Sequence, residues 1–225
     1  MNPIVCALDT QDLNEAIFLA NVLRGKIGMI KLGLEFFATY GPSGVRKVAK
    51  CNIPIFLDLK LYDIPNTITK TVKAVKALGV EVLTLHISGG TRMLKEALNV
   101  VNDTKMELIG VTVLTSISNE DLSELGVVSE TKSQVILLAK LAKKIGLHGV
   151  VCSALETQEV RKECGKDFKI ITPGIRIDHD FDDQKRTATP KEAIDSGADY
   201  IVIGRPITKS ISPRNSVELI LKSLA

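Results

Sequence analysis

The sequence predicts a (β/α)8 TIM barrel formed as a single domain over residues 1–225. Eight short, β-branched apolar runs occur along the chain, and amphipathic stretches with helical spacing separate them. The length of 225 residues also lies within the usual range of such barrels. A doubly wound open sheet is the alternative fold, but the first strand runs into Cys6-Ala7-Leu8-Asp9 rather than a GxGxxG turn.

The individual elements follow from hydrophobic periodicity and from turn and cap residues. The predicted strands are Ile4–Leu8, Met29–Leu32, Ile55–Leu59, Val82–His86, Leu108–Leu114, Gly149–Cys152, Lys169–Thr172 and Tyr200–Ile203. The predicted helices include Leu13–Leu23, Thr67–Leu78, Met93–Val101, Ser133–Ile145 and Lys191–Ser196. Before the last of these helices, Thr189-Pro190-Lys191-Glu192 reads as a capping box with proline in the first turn.

The composition is that of an ordinary globular protein, with 45% hydrophobic and 24% charged residues. The 29 basic and 26 acidic residues leave a formal net charge of +3, and the basic residues form no tract. We therefore expect no nucleic-acid surface, although a local phosphate site is compatible with this balance.

The four cysteines, at positions 6, 51, 152 and 164, form no CxxC pair and have no metal-ligand spacing. Their isolation fits a reducing compartment. The sequence has no signal-like start and no apolar run near the ~18 residues that a membrane span needs. These patterns together predict a cytoplasmic protein without a membrane partner.

A barrel of this type collects its chemistry at the carboxyl ends of its strands. Polar or charged residues follow nearly every predicted strand, which random surface charge would not produce. They are Asp9, Lys31, Asp58 with Lys60, His86, Thr115 with Ser116, the run Pro173-Gly174-Ile175-Arg176, and Gly204-Arg205-Pro206. The sequence thus predicts a polar site at one end of the barrel.

The third strand carries the most informative charges. Side chains alternate along a strand, so Asp58 and Lys60 are expected on one side, and Asp63 lies just beyond, before Pro65. The structural alternative is an ion pair at the end of the strand that has no role in binding or catalysis. Burying such a pair adds little stability because desolvation offsets the attraction, so three alternating charges favour a functional site.

Other strand-end residues allow both structural and functional interpretations. Lys31 could extend to solvent, but its place beside the third strand favours a network shared with Asp58 and Lys60. Asp9 could cap the first helix, contribute to the site, or do both. A structural role is favoured for His86, which has no paired base. No metal-ligand cluster and no nucleophile triad can be assembled from the strand ends.

The last two strands indicate where a phosphate would bind. Glycine after a strand, as at Gly204, permits close backbone approach, and Arg205 supplies a forked cation suited to phosphate. The loops after strands seven and eight are the usual phosphate site of such barrels. A solvent-facing arginine is the alternative.

The segment from Pro173 to Thr189 is long for a barrel loop. It is rich in polar and charged residues and adjoins the predicted phosphate site. This placement predicts a lid that closes over a ligand, whereas an ordinary solvated loop is the alternative.

These motifs resemble, in order and over the whole chain, those of the orotidine 5'-phosphate decarboxylase family. The matching pieces are Ala7-Leu8-Asp9, Lys31-Leu32-Gly33, DLKLYDIPNT at 58–67, HISGG at 86–90, Leu114-Thr115-Ser116, TPGIR at 172–176, DQKR at 183–186 and IGRP at 203–206. The compact, acidic stretch between Arg176 and Gln184 departs from the family pattern.

The resemblance implies a decarboxylase without metal or cofactor that converts orotidine 5'-monophosphate to uridine 5'-monophosphate in pyrimidine synthesis. It also implies a homodimer with shared sites, in which Asp63 and Thr67 reach the partner's site. Lys60 would donate the proton, within an array of Lys31, Asp58 and the partner's Asp63. In this family pattern, Asp9 and Lys31 would hold the ribose hydroxyls, and Thr115 and Ser116 would lie near the pyrimidine. The phosphate would be held by Gln184, Gly204 and Arg205, and Arg176 would belong to the lid. Ile64 and Pro173 would complete the substrate site.

Two rival functions remain at this point. The first is a metal-dependent phosphosugar lyase of the keto-gulonate-phosphate decarboxylase or hexulose-phosphate synthase type, which would need carboxylate ligands where this chain has Lys31 and Lys60. The second is a non-catalytic phosphate-binding barrel, against which the intact Lys60 argues.

Overall fold

The protein is described by a computed structural model that covers residues 2–176 and 187–224. Within these ranges eight parallel strands close into a barrel, each paired with the next along the chain and the last with the first. The strands are β1 (Ile4–Ala7), β2 (Met29–Leu32), β3 (Ile55–Leu61), β4 (Val82–His86), β5 (Glu107–Val111), β6 (Gly149–Val151), β7 (Lys169–Thr172) and β8 (Tyr200–Ile203). The predicted (β/α)8 fold is confirmed, and the open-sheet alternative is wrong.

Helices connect successive strands on the outside of the barrel. They are α1 (Leu13–Leu23), α2 (Leu34–Ala49), α3 (Pro65–Lys76), α4 (Gly90–Val101), α5 (Asn119–Glu124), α6 (Thr131–Ile145), α7 (Ala154–Cys164), α8 (Pro190–Asp195), α9 (Arg205–Thr208) and α10 (Pro213–Ser223). The capping box before α8 is confirmed, because the Thr189 hydroxyl accepts from the Glu192 N–H and the Glu192 carboxylate accepts from the Thr189 N–H.

The core has two parts because strand side chains alternate in direction. The larger part lies between the barrel wall and the helices, and it includes Ile30, Leu57 and Leu83. The smaller part fills the barrel interior. It consists of Val5, Ala7, Met29, Phe56, Val82, Ile109, Ile171, Tyr200 and Val202. This interior packing makes the barrel a solid support for a site at one end rather than an open channel.

Helix α2 is missing from the predicted helices. Gly41 interrupts it with φ 55° and ψ −153°, and Pro42 follows inside the helical segment. Glycine and proline in sequence indicate a break between two short segments, yet packing of Phe36 and Val45 keeps both halves on the barrel. The break that glycine and proline indicate is therefore present, and burial holds the two halves against the barrel.

No predicted segment was named for α5, α7, α9 or α10 either, and the other differences concern element ends and one register. Strand β5 stops at Val111 instead of reaching Leu114, and β3 continues to Leu61. In the pairing of β3 with β4, Leu57 lies opposite Leu83, but Leu61 lies opposite Leu85. Four residue steps on β3 therefore match two on β4, which makes a bulge that includes Asp58 and Lys60.

Candidate active site

A cavity of about 380 Å³ opens at the carboxyl ends of the strands. Its floor consists of apolar residues from the barrel interior, such as Phe56 and Val202. Its polar lining contains many of the predicted site residues: Asp9, Lys31, Asp58, Lys60, Thr115, Ser116, Pro173, Arg176, Gly204 and Arg205. Residues from both ends of the sequence are thus brought together at one end of the barrel.

Four side chains form a row of alternating charge across this cavity. Lys31 Nζ lies 3.4 Å from Asp9 Oδ1 and 3.5 Å from Asp58 Oδ2. Lys60 Nζ lies 2.8 Å from the same Asp58 Oδ2. The Asp58 and Lys31 side chains are only 10% and 13% exposed, so water screens this pair weakly. The predicted network of Lys31, Asp58 and Lys60 is therefore present in the geometry.

Asp58 is ionised in spite of its burial. Desolvation by itself raises the pKa of this carboxyl, but attraction to Lys31 and Lys60 and hydrogen bonds from Lys60 and Thr84 outweigh it. The net result is a pKa below the ordinary value of 3.8. Asp58 is thus a fixed negative charge between two ammonium groups.

Thr84 belongs to this cluster, although it was not among the site residues predicted from the sequence. Its side chain is fully buried in β4, where its hydroxyl donates to Asp58 Oδ1 at 2.9 Å. The same hydroxyl accepts the Lys60 backbone N–H at 2.9 Å. A single polar residue inside the apolar run Val82–His86 was the sequence signal that could have indicated it.

The phosphate prediction concerns the other side of the cavity. Gly204 follows β8, and a Cβ atom at this position would lie 3.6 Å from Ala7 Cβ and 3.9 Å from Asp9 Oδ2. The pKa of Arg176 is lowered, mainly by burial of its side chain and to a smaller extent by repulsion from Arg205. Because two guanidinium groups share this side of the cavity, an anion there would relieve their repulsion.

Comparison with known proteins agrees with this geometry. Residues 2–220 match the family model described as "Orotidine 5'-phosphate decarboxylase / HUMPS family". The chain belongs to this family. It is 79% identical over 225 residues, 100% of both chains, to an orotidine 5'-phosphate decarboxylase of Wolbachia sp. subsp. Brugia malayi (strain TRS). It is 55% identical to that of Ehrlichia canis (strain Jake), over 99% of this chain and 98% of the relative.

A solved structure supports the same assignment. The crystal structure of orotidine 5'-phosphate decarboxylase from Lactobacillus acidophilus superposes with a TM-score of 0.86 at 35% identity. The match covers 100% of this chain and 99% of that one. The barrel, and not only the short motifs, is therefore shared with the decarboxylase family.

The residues expected to serve a partner's site lie outside the cavity of this chain. Asp63 and Ile64 are exposed in the turn between β3 and α3, Thr67 is exposed in the first turn of α3, and none of the three lines the cavity. Asp63 Oδ1 accepts the Ile64 N–H at 2.6 Å. This location separates them from the charge row of their own decarboxylase chain.

The predicted lid, Pro173 to Thr189, is described only at its two ends. Residues 177–186, including the predicted phosphate ligand Gln184, lie outside the described residues. At the base, the Arg176 N–H donates to Ala188 O at 3.0 Å, and the Ala188 N–H donates to Gly174 O at 3.3 Å. These two bonds hold the ends of the segment together beside the cavity.

Asp9 does not cap α1, so that interpretation is wrong. Asp12 is the cap, with its Oδ1 accepting from Asn14 N at 2.7 Å and Glu15 N at 3.3 Å. Asp9 instead contacts Lys31, and Gly33 leaves space for this contact, because a Cβ there would lie 3.2 Å from Lys31 Nζ. The glycine of the Lys31-Leu32-Gly33 motif thus has a steric role.

His86 lies next to the site without joining the charge row. Its ring centroid is 5.9 Å from that of Tyr62, and the side chain is half-buried. The pKa of His86 is lowered, mainly by burial and to a smaller extent by repulsion from Lys60. The negative charge of Asp58 opposes this shift but does not cancel it. This environment favours the neutral imidazole.

The described residues contain neither a metal-ligand cluster nor a membrane-spanning helix. Among residues 2–176 and 187–224, no three His, Cys, Asp or Glu side chains lie close enough together to hold a metal ion. In the same part of the chain, no helix has both the length and the apolar character needed to span a bilayer.

Proposed function

We propose that this protein, acting as a single barrel domain over residues 1–225, uses Lys60 as the proton donor in the decarboxylation of orotidine 5'-monophosphate. The chain is a carboxy-lyase of pyrimidine biosynthesis that forms uridine 5'-monophosphate, as its family membership and its relatives at 79% and 55% identity support. The observation that carries the residue assignment is the row of Lys31 and Lys60 on either side of the buried Asp58.

The reaction requires a positive charge where this row provides one. When carbon dioxide leaves, the electrons of the broken C–C bond remain on an sp² ring carbon with little delocalisation. A fixed ammonium stabilises this developing charge without reorganising during the reaction. Lys60 then transfers a proton from Nζ to the ring carbon, so a C–H bond replaces the bond to the carboxylate.

Asp58 supports the reaction in two ways. Its carboxylate stabilises the ammonium groups of Lys31 and Lys60, from which its Oδ2 lies 3.5 and 2.8 Å away. It also places a negative charge next to the substrate carboxylate, and their repulsion is relieved when carbon dioxide departs.

The remaining contacts orient the substrate. Asp9 and Lys31 hold the ribose hydroxyls, Thr115 and Ser116 lie near the pyrimidine, and the phosphate binds on the side of the cavity that holds Arg205. Phosphate binding far from the reacting carbon can favour lid closure and thereby lower the barrier of the chemical step. The residues proposed at this end are Pro173, Arg176, Gln184, Gly204 and Arg205.

We also propose a homodimer with shared sites, in which Asp63, Ile64 and Thr67 enter the partner's cavity. These residues are exposed and do not line the cavity of their own chain. Tyr62 and Ile64, next to Asp63, are apolar yet 64% and 66% exposed, as expected of side chains that a second copy would cover. A two-fold axis would place the same patch of each chain at the other chain's site.

A cytoplasmic location is proposed from the cysteines. All four, Cys6, Cys51, Cys152 and Cys164, are free and buried. Free thiols fit a reducing compartment better than an oxidising one.

The direct test is an absorbance assay with orotidine 5'-monophosphate in excess chelator. The wild-type chain should turn over, and Lys60→Ala should lose at least ~100-fold in kcat because a general acid contributes on that scale. Lys105→Ala, at an exposed position between α4 and β5, is the matched control and should keep wild-type activity. Turnover that chelator abolishes and magnesium restores would favour the metal-dependent lyase, and no turnover at all would favour the phosphate-binding barrel.

A further inference from the structure

We infer that Thr84 is a positioning residue that holds Asp58 and Lys60 in their reactive arrangement. This inference rests on the proposed function, since it assigns Thr84 a role through two residues of the decarboxylation site. Thr84 lies on β4, opposite the bulge of β3, and it does not itself line the cavity.

The register of β3 against β4 places Thr84 opposite the bulge. Leu57 pairs with Leu83 and Leu61 pairs with Leu85, so Thr84 alone stands opposite Asp58, Leu59 and Lys60. A regular ladder cannot satisfy the extra backbone groups of such a bulge. The Thr84 hydroxyl does so for Lys60, because it accepts the Lys60 N–H at 2.9 Å in place of a strand carbonyl.

Lys60 has an unusual backbone conformation. Its φ of 48° lies in the left-handed region, which costs on the order of 1 kcal/mol for a residue with a Cβ atom. Such a conformation persists only where the surroundings hold it in place. The bond from Lys60 N to Thr84 provides this restraint at the residue whose side chain carries the reactive ammonium.

The Thr84 hydroxyl couples Asp58 and Lys60 to each other. A threonine hydroxyl has one proton, and here it is donated to Asp58 Oδ1 while a lone pair accepts the Lys60 N–H. With Oδ1 held by Thr84, Oδ2 faces Lys31 and Lys60. Thr84 is fully buried, which leaves it shielded from competing solvent. The hydroxyl therefore fixes the carboxylate orientation and the lysine backbone together.

The experiment compares Thr84→Val with Thr84→Ser and with Thr112→Val. Valine keeps the shape of threonine but removes the hydroxyl, so kcat should fall roughly 10- to 100-fold, as expected for losing a hydrogen bond to a charged group. KM should change less than about threefold, because Thr84 does not line the cavity. Serine keeps the hydroxyl and should restore kcat to within about threefold of wild type.

Thr112→Val is the matched control for lost buried hydrogen bonding. Thr112 is buried just after β5, and its hydroxyl donates to Val151 O at 2.7 Å without contacting the charge row. It should lower the unfolding temperature as Thr84→Val does, but leave kcat within about threefold of wild type. Should Thr84→Val fail to fold, Thr84→Ala replaces it in the comparison with Thr84→Ser.

Two results would overturn the inference. One is a kcat for Thr84→Val equal to that of Thr112→Val, and the other is a loss in Thr84→Ser as deep as in Thr84→Val. Turnover by the wild-type chain separates failure of the Thr84 inference from failure of the proposed function. An inactive wild-type chain would contradict both the proposed function and the role of Thr84. An active wild-type chain with an unaffected Thr84→Val variant would remove only the role of Thr84.

Discussion

Individual residues in the cavity obtain their properties from neighbours that are distant in sequence. Asp58 would be a costly buried carboxylate if Lys31, Lys60 and Thr84 did not surround it. Lys31 comes from β2, and Thr84 comes from β4. The barrel therefore brings Lys31, Lys60 and Thr84 together around Asp58 to form one cluster of interacting polar groups.

The lowered pKa of Asp58 predicts a specific acid sensitivity. Its folded-state pKa lies below 3.8, so on acidification the unfolded chain binds this proton first. The stability from ionised Asp58 is present above pH ~4 and is lost as the pH falls through the folded-state pKa. Urea unfolding at several pH values should show a steeper loss for the wild type than for Asp58→Asn.

The matched control for this measurement is Asp103→Asn. The hydrogen bond from Lys76 lowers the pKa of Asp103, but the Asp103 side chain is 76% exposed. High salt should therefore reduce the loss of unfolding free energy that protonation of Asp103 causes. It should leave most of the corresponding loss from Asp58 unchanged. Parallel acid curves for wild type and Asp58→Asn would contradict the prediction.

Arg205 allows a test of the phosphate assignment at a single residue. Arg205→Ala should weaken binding of orotidine 5'-monophosphate by about 1.5–3 kcal/mol, because a charge-assisted contact to the phosphate is lost. KM and inhibitor titrations would measure this change. Orotidine, which lacks the phosphate, should react equally with both proteins, and the exposed Arg214→Ala should match wild type. An equal penalty with orotidine would place the role of Arg205 elsewhere.

At the scale of elements, two segments depart from regular secondary structure. Strand β3 carries the bulge that presents Asp58 and Lys60, and α2 carries the break at Gly41. In both, the local conformation is one that residues with side chains rarely adopt. Contacts with neighbouring elements keep these conformations in place.

The break in α2 predicts a stability effect at Gly41. A Cβ atom there would meet no atom within 4 Å, so any cost of Gly41→Ala comes from the backbone, with φ 55° and ψ −153°. We expect a loss of about 1 kcal/mol or more in the free energy of unfolding. Chemical denaturation would measure it, with the exposed Ser43→Ala as control, expected within ~0.5 kcal/mol of wild type. A stabilised Gly41→Ala variant would mean that the break relaxes at little cost.

At the scale of the whole molecule, the proposed shared site predicts complementation between inactive chains. Lys60→Ala and Asp63→Ala should each be nearly inactive alone. A mixed dimer would have one site with both changes and one with neither, because a two-fold interface exchanges the same patch. Each mixed dimer should therefore have about half the activity of a wild-type dimer, measured after the chains have exchanged.

A second mixture controls for this result. Asp58 and Lys60 lie 2.8 Å apart within one chain, so mixing Asp58→Ala with Lys60→Ala leaves no intact site. That mixture should stay inactive. If verified mixed dimers of Lys60→Ala and Asp63→Ala also stay inactive, Asp63 serves its own chain and the shared-site proposal is wrong.

Much of this protein could be predicted from the sequence by itself. Each parallel strand is a short apolar run buried on both faces, so the eight strands and the polar residues after them are visible in one dimension. Because parallel strands in a barrel place their carboxyl ends together, Asp9, Lys31, Asp58 and Lys60 could be assigned to one site. The order and spacing of the motifs then indicated the family.

Only the tertiary structure decided how these residues meet. The bulge in β3 arises from pairing with β4, and no local pattern encodes that a threonine 24 residues after Lys60 accepts its N–H. The space left by Gly33 and the placement of the two halves of α2 likewise depend on packing. Sequence periodicity specifies which face a residue takes, whereas register and hydrogen-bond partners are set by contacts between elements far apart in the chain.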